Sequence, residues 1–312
     1  MKHNSVRQNI LAILAAIIWG TGFVAQSVGA NYLESFSFNA ARSLVAFLFL
    51  LALCVSRRRF GKKEASSLRD ASAALTDGWT QDTPFRRLLF AGGCCGAALT
   101  VAAYFQQKGM ETTTSGKAGF ITALYIVIVP IFSLFLKKKA PGTIWLSVAL
   151  AVAGLYLLCV NESFSIAQGD FYVLLCAFCF SVQILLIDHF TRQTDGVELS
   201  CVQFLTVTLL SALGAAVSRE IFPAMDALRA CLPSIVYAGI FSSGVAYTLQ
   251  ILAQKDANPT VISLLLSLES VFATLAGALL LHDRMSGREI AGCALMFAAV
   301  ILAQIAPPPR SS

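Results

Sequence analysis

Charged residues are absent from this chain for about a bilayer's width at a time. None occurs between Arg7 and Glu34, Arg87 and Lys108, Lys117 and Lys137, Lys139 and Glu162, Glu198 and Arg219, Arg229 and Lys255, or Glu289 and Arg310. A helix needs about 20 apolar residues to cross lipid, where every backbone polar group must be satisfied within its own segment, so each of these gaps reads as a spanning helix. The same pattern predicts three more: 36–56 around Arg42, 171–187, and 259–281 around Glu269. The first gap is too long for the apolar part of a secretory signal, and the chain behind it keeps returning to the membrane, so it is counted as helix 1. The expected fold is therefore an all-α integral membrane protein with ten transmembrane helices.

Composition agrees: 57% of residues are hydrophobic and 13% charged, against roughly a quarter charged in soluble domains. That leaves no room for a soluble catalytic domain. With ten spans both termini lie on one side, and Lys and Arg can be compared between the two sets of loops. The terminal side holds Lys2, Arg7, eight residues between Arg57 and Arg87, Lys137, Lys138, Lys139, Arg192, Lys255 and Arg310, whereas the other holds Lys108, Lys117, Arg219, Arg229, Arg284 and Arg288. The termini are thus predicted cytoplasmic, in a plasma (inner) membrane. The net charge of +6 is explained by this topology, with no nucleic-acid partner implied. The stretch 57–85 is the one long loop; it is polar and basic, lacks the apolar residues for a core, and reads as a cytoplasmic tether.

The nine cysteines lie mostly within apolar spans and read as reduced packing residues. Cys176 and Cys179 form a C-x-x-C, but zinc requires about four ligands and no Cys/His pair stands nearby in sequence, so no metal or other cofactor is expected.

The chain also repeats itself. Tyr104-Phe105-Gln106-Gln107 in helix 3 is matched by Tyr247-Thr248-Leu249-Gln250 in helix 8, each followed by a short polar turn and another apolar span. Further on, Val129-Pro130-Ile131-Phe132 is set against Glu269-Ser270-Val271-Phe272. Residues 1–160 then form a first repeat and 161–312 a second. Five spans is an odd number, so the second repeat enters the membrane inverted relative to the first.

In this order along the chain, Trp19-Gly20, Ala41-Arg42, the run 115–122 leading to Pro130, and Leu268-Glu269-Ser270-Val271-Phe272 resemble the EamA-type transporters of the drug/metabolite transporter superfamily. The resemblance covers nearly the whole chain. It implies two inverted five-helix repeats, cytoplasmic termini, and a central substrate cavity framed mainly by helices 1, 3, 4, 6, 8 and 9, in carriers that export or exchange amino acids, other metabolites or drugs. The chain departs from the family in two places. His282-Asp283 stands where members often have Gly-Glu, and Ser270 where a proline often follows the helix 9 Glu, which removes an expected kink.

Polar side chains at membrane depth are costly and face a partner or a water-filled cavity. Glu269 is the foremost, since an acid at the centre of a span costs about 2.5–3.5 kcal/mol on insertion scales. It is a candidate for proton coupling and for binding a substrate amine; a structural acid bonded to a neighbouring helix is the alternative. Tyr104 with Gln107, and Tyr247 with Gln250 and Gln254, each make one helical face, expected to line a pocket or to bond between helices. Trp19, Tyr125 and Gln183 complete the expected substrate-binding set, with Gln26 as a weaker member. Gly20 and Pro130 are expected at a gate or kink. Arg42 is placed near the outer end of helix 2, where snorkelling to the headgroups is favoured over pairing with Glu34 or a substrate carboxylate.

No Gly-x-x-x-x-Gly-Lys-Ser/Thr loop occurs, so no ATPase subunit is implied and the energy must come from a gradient or from exchange. The reading is a secondary transporter whose partners are the lipid bilayer and a small-molecule substrate, most simply an amino acid or a related compound. The alternatives are an integral membrane enzyme acting on lipid, for which no nucleophile–base constellation stands out, and a membrane scaffold or sensor.

Overall fold

A computed structural model of the chain describes residues 2–69, 82–113, 115–135, 142–159, 168–191, 194–220, 225–255, 257–280 and 286–305. The middle of the basic loop, Lys137, Lys138, Lys139, Arg192, His282-Asp283 and Arg310 lie outside these residues, as does the side chain of Lys117. The described residues are helical and contain no strand: α1 (Lys2–Ala30), α2 (Ser35–Arg69), α3 (Asp82–Met110), α4 (Ser115–Ala123), α5 (Tyr125–Phe135), α6 (Gly142–Cys159), α7 (Gln168–Phe190), α8 (Gly196–Ser218), α9 (Met225–Tyr237), a π-helical segment (Ala238–Ala246), α10 (Tyr247–Gln254), α11 (Pro259–Leu266), α12 (Glu269–Leu280) and α13 (Gly287–Ile305).

Among the described residues seven stretches are long and apolar enough to cross a membrane: Val6–Ala30, Ser35–Arg57, Phe85–Met110, Ala118–Phe135, Gln168–Phe190, Gly196–Ser218 and Met225–Gln254. Shorter apolar helices, Gly142–Leu157, Pro259–Leu275 and Ile290–Ala303, lie where the other three spans were expected. One boundary differs from expectation. Helix α2 runs unbroken to Arg69, well into the stretch read as a tether, because Lys, Arg, Glu and Ala there are good helix formers.

Lipid offers apolar side chains no incentive to pack on each other, so the helices associate by close fit and by polar contacts. Large apolar residues such as Phe90, Phe135, Leu209 and Val217 are exposed on the outside. Between helices the spacing is set by small residues. Gly92 and Gly96 of α3 face α8, and a Cβ on Gly96 would stand 2.7 Å from the Gln203 carbonyl. The partnerships cross between the halves: α3 packs on α7 and α8, α2 on α8 and the π segment, α6 on α13, and α1 on α10, the π segment and α12. Exchanging the halves maps α3 on α7 onto the broken helix α9–π–α10 on α1, while α2 on α8 and α6 on α13 map onto themselves.

The connections gather alternately at two ends. At one, Gln8 donates its side-chain amide to the Lys255 carbonyl, and Arg57 pairs with Asp195 at 3.2 Å. At the other, the Ser35 hydroxyl donates to Glu111 at 2.8 Å, the Thr113 hydroxyl pairs with Asp170, and Glu220 reaches the start of α2. Glu220 is aimed by the end of α8, where Arg219 takes a left-handed conformation (φ 54°) and turns the chain out of the helix. Its carboxylate accepts from the amides of Phe36 (2.9 Å) and Ser37 (2.7 Å) and from the Ser37 hydroxyl (2.6 Å), satisfying two N–H groups that α2 cannot satisfy itself. Asp195 caps α8 through the amides of Val197 and Glu198. Burial pushes the Asp195 carboxyl upward, but the Glu198 amide, the Arg57 guanidinium and the Val197 amide together outweigh burial and hold it below the ordinary aspartate value.

Glu220→Ala should lower unfolding stability by about 1–3 kcal/mol, the range for a lost cap and for hydrogen bonds to a charged group. Glu220→Gln, which keeps one acceptor oxygen, should lose less. Denaturant unfolding in detergent micelles measures both, and an unchanged Glu220→Ala midpoint would contradict the cap. For Asp195 the depressed folded pKa sets the sign: its contribution is present above the unfolded value of about 3.9 and is lost as pH falls through the lower folded value. The stability difference between wild type and Asp195→Asn should therefore be full at neutral pH and close under acid, as read from unfolding at a series of pH values.

Candidate functional site

Two of the membrane helices are broken, and the breaks meet. The first lies at Leu124, between α4 and α5, where the Leu124 amide bonds Ile121 O and the Val127 amide bonds Leu124 O, each three residues back. The second lies at Ser267-Leu268, between α11 and α12, with three-residue bonds from Leu268 to Leu265 and from Ser270 to Ser267. The Ser263 and Ser267 hydroxyls bond Thr260 O and Leu264 O at 2.9 and 2.8 Å, giving carbonyls of α11 side-chain partners. Each break is followed at once by a residue of the expected site: Tyr125 opens α5, Glu269 opens α12, and the Tyr125 hydroxyl donates to Glu269 Oε1 at 3.1 Å across 144 residues of sequence.

These breaks correct two expectations. Pro130 lies inside α5, and the helix parts six residues before it; a proline disturbs the turn upstream by freeing the carbonyl four residues back, here Ile126. Ser270 in place of proline does not leave helix 9 straight, because the serine hydroxyls support the break three residues earlier. The breaks also fall in a different register from the sequence match of Val129-Pro130 with Glu269-Ser270: it is Tyr125 and Glu269 that occupy equivalent places.

A third irregularity completes the site. The π segment Ala238–Ala246 follows Pro233 of α9, and its i→i+5 ladder brings residues five apart onto one face. Gly239 and Gly244 are so spaced, and both lie against α2: a Cβ on Gly239 would meet Val45 at 2.7 Å and the Arg42 carbonyl at 2.8 Å, and one on Gly244 would meet Phe49 at 2.8 Å. Within the segment, Ser242 O accepts from Trp19 Nε1 at 3.1 Å. The Trp19 ring in turn meets Tyr247 edge-on, with centroids 4.8 Å apart, and Tyr247 meets Phe204 at 5.5 Å.

Between these elements lies a cavity that is partly open to the outside. Of the expected site residues, Trp19, Tyr125, Tyr247, Gln250 and Glu269 line it, together with Gln26. Glu269 is 4% exposed, and the Tyr125 hydroxyl is its one side-chain hydrogen bond among the described residues. The Gln26 and Gln250 side-chain oxygens are buried without a partner among those residues.

Three expected residues are not in the lining. Tyr104 stacks on Phe36 at 4.2 Å. Gln107 is fully buried and donates to the Gln26 carbonyl at 3.1 Å, tying α3 to α1. Gln183 lies behind Gln250, accepting from it at 3.4 Å, while Gln254 donates to the Ile184 carbonyl at 2.8 Å and ties α10 to α7. On α3 the cavity receives Gln106 instead, bonded to Thr122 at 3.4 Å, because one residue along a helix turns the side chain by about 100°.

Arg42 is the largest correction. It does not snorkel: it is 4% exposed and lines the cavity, with Nε donating to Asn39 Oδ1 at 2.9 Å and the guanidinium 5.8 Å from the Phe38 ring centre. Its position lies about 10 Å below the start of α2 at 1.5 Å per residue, and the π segment packs on its backbone. Sequence reasoning passed over Phe23, Phe180 and Ser242 in the lining as well. A signal for Ser242 was present in Gly239-Ile-Phe-Ser-Ser-Gly244, since a glycine-interrupted apolar segment often marks a transporter's site.

The chain matches the EamA-like transporter family over residues 7–160 and again over 167–304. It is 28% identical over 298 residues, 94% of this chain and 84% of the other, to an uncharacterized transporter of Archaeoglobus fulgidus. It is 24% identical over 301 residues to a WAT1-related chloroplastic protein of Arabidopsis thaliana, covering 91% of this chain and 66% of that one. A solved crystal structure superposes with a TM-score of 0.73 at 18% identity, covering 97% of this chain and 99% of that one, which shows a shared fold.

The position of Glu269 depends on α1. A Cβ on Gly20 would meet the Ala273 amide nitrogen and the Glu269 carbonyl at 2.8 Å each, whereas one on Gly22 would come no closer than 3.4 Å, to the Ser242 hydroxyl. Gly20→Ala should thus destabilise by about 1–3 kcal/mol, the cost of overpacking, and Gly22→Ala by no more than about 0.5 kcal/mol. Thermal unfolding of the two variants checks this. Equal midpoints would mean that α1 does not rest on α12 at Gly20.

Proposed function

We propose, from the premise that this chain belongs to the EamA-like transporter family, that it is a secondary active carrier of amino acids or related small metabolites, working as an exporter or exchanger. That it is a multi-pass membrane transporter follows from the family and from its apolar helices. The observation that carries the finer reading is the cavity itself. It is built where irregular backbone from both halves converges, lined by aromatic rings and amides, and holds a buried carboxyl. Irregular backbone at membrane depth is tolerated where protein or a water-filled cavity satisfies it.

We read the chain as ten crossings in two inverted five-helix repeats, residues 1–160 and 161–312. Supporting this are the alternate gathering of connections at two ends and the helix pairings that persist when the halves are exchanged. Alternating access then amounts to one repeat rocking on the other about the cavity. The excess of Lys and Arg in the loops on the terminal side supports cytoplasmic termini in a plasma (inner) membrane.

Coupling to protons is assigned to Glu269. The groups around it are the Tyr125 hydroxyl, Tyr247, Cys176 and, elsewhere on the cavity wall, Arg42. None of these holds the carboxylate in a salt bridge. A proton and a substrate amine therefore compete for one carboxyl, and a carrier that must exchange one for the other uses protons flowing down their gradient to drive substrate in the opposite direction. In sealed proteoliposomes of the full-length chain, Glu269→Gln should abolish accumulation of labelled amino acid driven by an imposed pH gradient. A Glu269→Gln protein that keeps the full response to the gradient would exclude this role.

A further inference from the structure

Arg42 is buried, and no described residue supplies it with an anion. Among the described residues, no carboxylate lies within 4.0 Å of its guanidinium. Its one hydrogen bond there is from Nε to Asn39 Oδ1, which leaves the N–H groups of both terminal nitrogens without a protein acceptor. The side chain is held rather than loose: Asn39 fixes Nε, the Phe38 ring lies beside the guanidinium, and Gly239 of the π segment presses on the Arg42 backbone. What remains open is the forked end, and it reaches the same cavity as Glu269.

Burying an unpaired guanidinium is expensive, and an arginine at membrane depth is retained where a partner neutralises it. The missing partner is not Glu269, which is bonded to Tyr125 and makes no ion pair with Arg42. Both side chains nonetheless line the same cavity. The cavity thus has a cation on one part of its wall and an acid on another, with Trp19, Phe23, Phe180 and Leu266 supplying apolar surface.

We propose that Arg42 docks the carboxylate of the transported molecule, so that the cavity selects α-amino acids with apolar side chains, carboxylate on Arg42 and amine on Glu269. This rests on the carrier reading given above and adds to it the group that tells an amino acid from an amine. A planar fork donates two parallel hydrogen bonds to the oxygens of a carboxylate, a geometry that an ammonium group cannot reproduce. The partnerless oxygens of Gln26 and Gln250 add acceptors for the amine, while nothing but Arg42 among the charged lining groups answers the carboxylate.

The test is exchange by the full-length chain in proteoliposomes, comparing labelled L-leucine and L-phenylalanine with the amines that lack only their carboxylate, isoamylamine and phenethylamine. Wild type should exchange the amino acids about tenfold or more faster than the amines, since a charged hydrogen bond is worth roughly 1.5–3 kcal/mol. Arg42→Gln should bring that ratio towards unity, and Arg42→Lys, which keeps the charge but not the fork, should fall between. A purely structural role would slow all four compounds together and leave the ratio unmoved. Amines carried as fast as amino acids by wild type, or an Arg42→Gln protein that keeps the ratio and unfolds at the wild-type temperature, would overturn the Arg42 assignment and leave the carrier standing. No flux of any of the four through folded wild type would overturn both for these substrates.

Discussion

In lipid there is no water to satisfy a stray N–H or C=O, and this one constraint orders the structure. It makes nearly every described residue helical, and it confines departures from the α-helix to places where side chains or a cavity take up the freed groups. The departures are few and they converge. The break at Leu124, the break at Ser267-Leu268 and the π segment at Ala238–Ala246 all border one cavity, with Trp19 bonding a carbonyl of the π segment and serine hydroxyls serving those of α11. A membrane protein that needs a polar site in its middle has to interrupt its helices there, so the irregular backbone and the site have one cause.

The same constraint explains which contacts are polar and which are merely close. Gln107 and Gln254 spend their amides on main-chain carbonyls of a neighbouring helix in their own half, α3 on α1 and α10 on α7. They tie the helices rather than recognise a solute. Between the halves, backbones approach through Gly20, Gly92 and Gly96. Glu269 and Arg42 are the acid and the base left facing the cavity, each held by neutral neighbours, Tyr125 on one side and Asn39 with Phe38 on the other.

Much of this was legible in the sequence. Charge-free gaps located the helices because a lone charge in lipid is too costly to be frequent, and Trp19, Tyr125, Tyr247, Gln250 and Glu269 stood out as polar or aromatic groups at span depth. What the sequence does not carry is rotation. Depth along a helix follows from counting residues, but whether Gln106 or Gln107 meets the cavity is a matter of one step around the helix, and the two are adjacent glutamines. Arg42 was misread for a related reason: its place near a helix end invites snorkelling, and only the packing of the π segment against α2 turns it inward. The break positions were hidden because Pro130 and the missing proline at 270 were the conspicuous signals, whereas hydrogen bonds three residues back at Leu124 and Ser267 leave no mark in composition.

The fastenings at the two ends of the molecule are unequal. Where Arg57 meets Asp195, the pair is about half exposed, with side chains 53% and 44% accessible, and such pairs contribute about 0–1 kcal/mol. Where Glu220 meets α2, one carboxylate accepts three short hydrogen bonds in a part-buried place, each of the stronger, charge-assisted kind. Both clasps join the first half of the chain to the second. Charge in the exposed pair is screened by salt and charge in the part-buried one much less, so added salt loosens the first clasp and leaves the second largely intact.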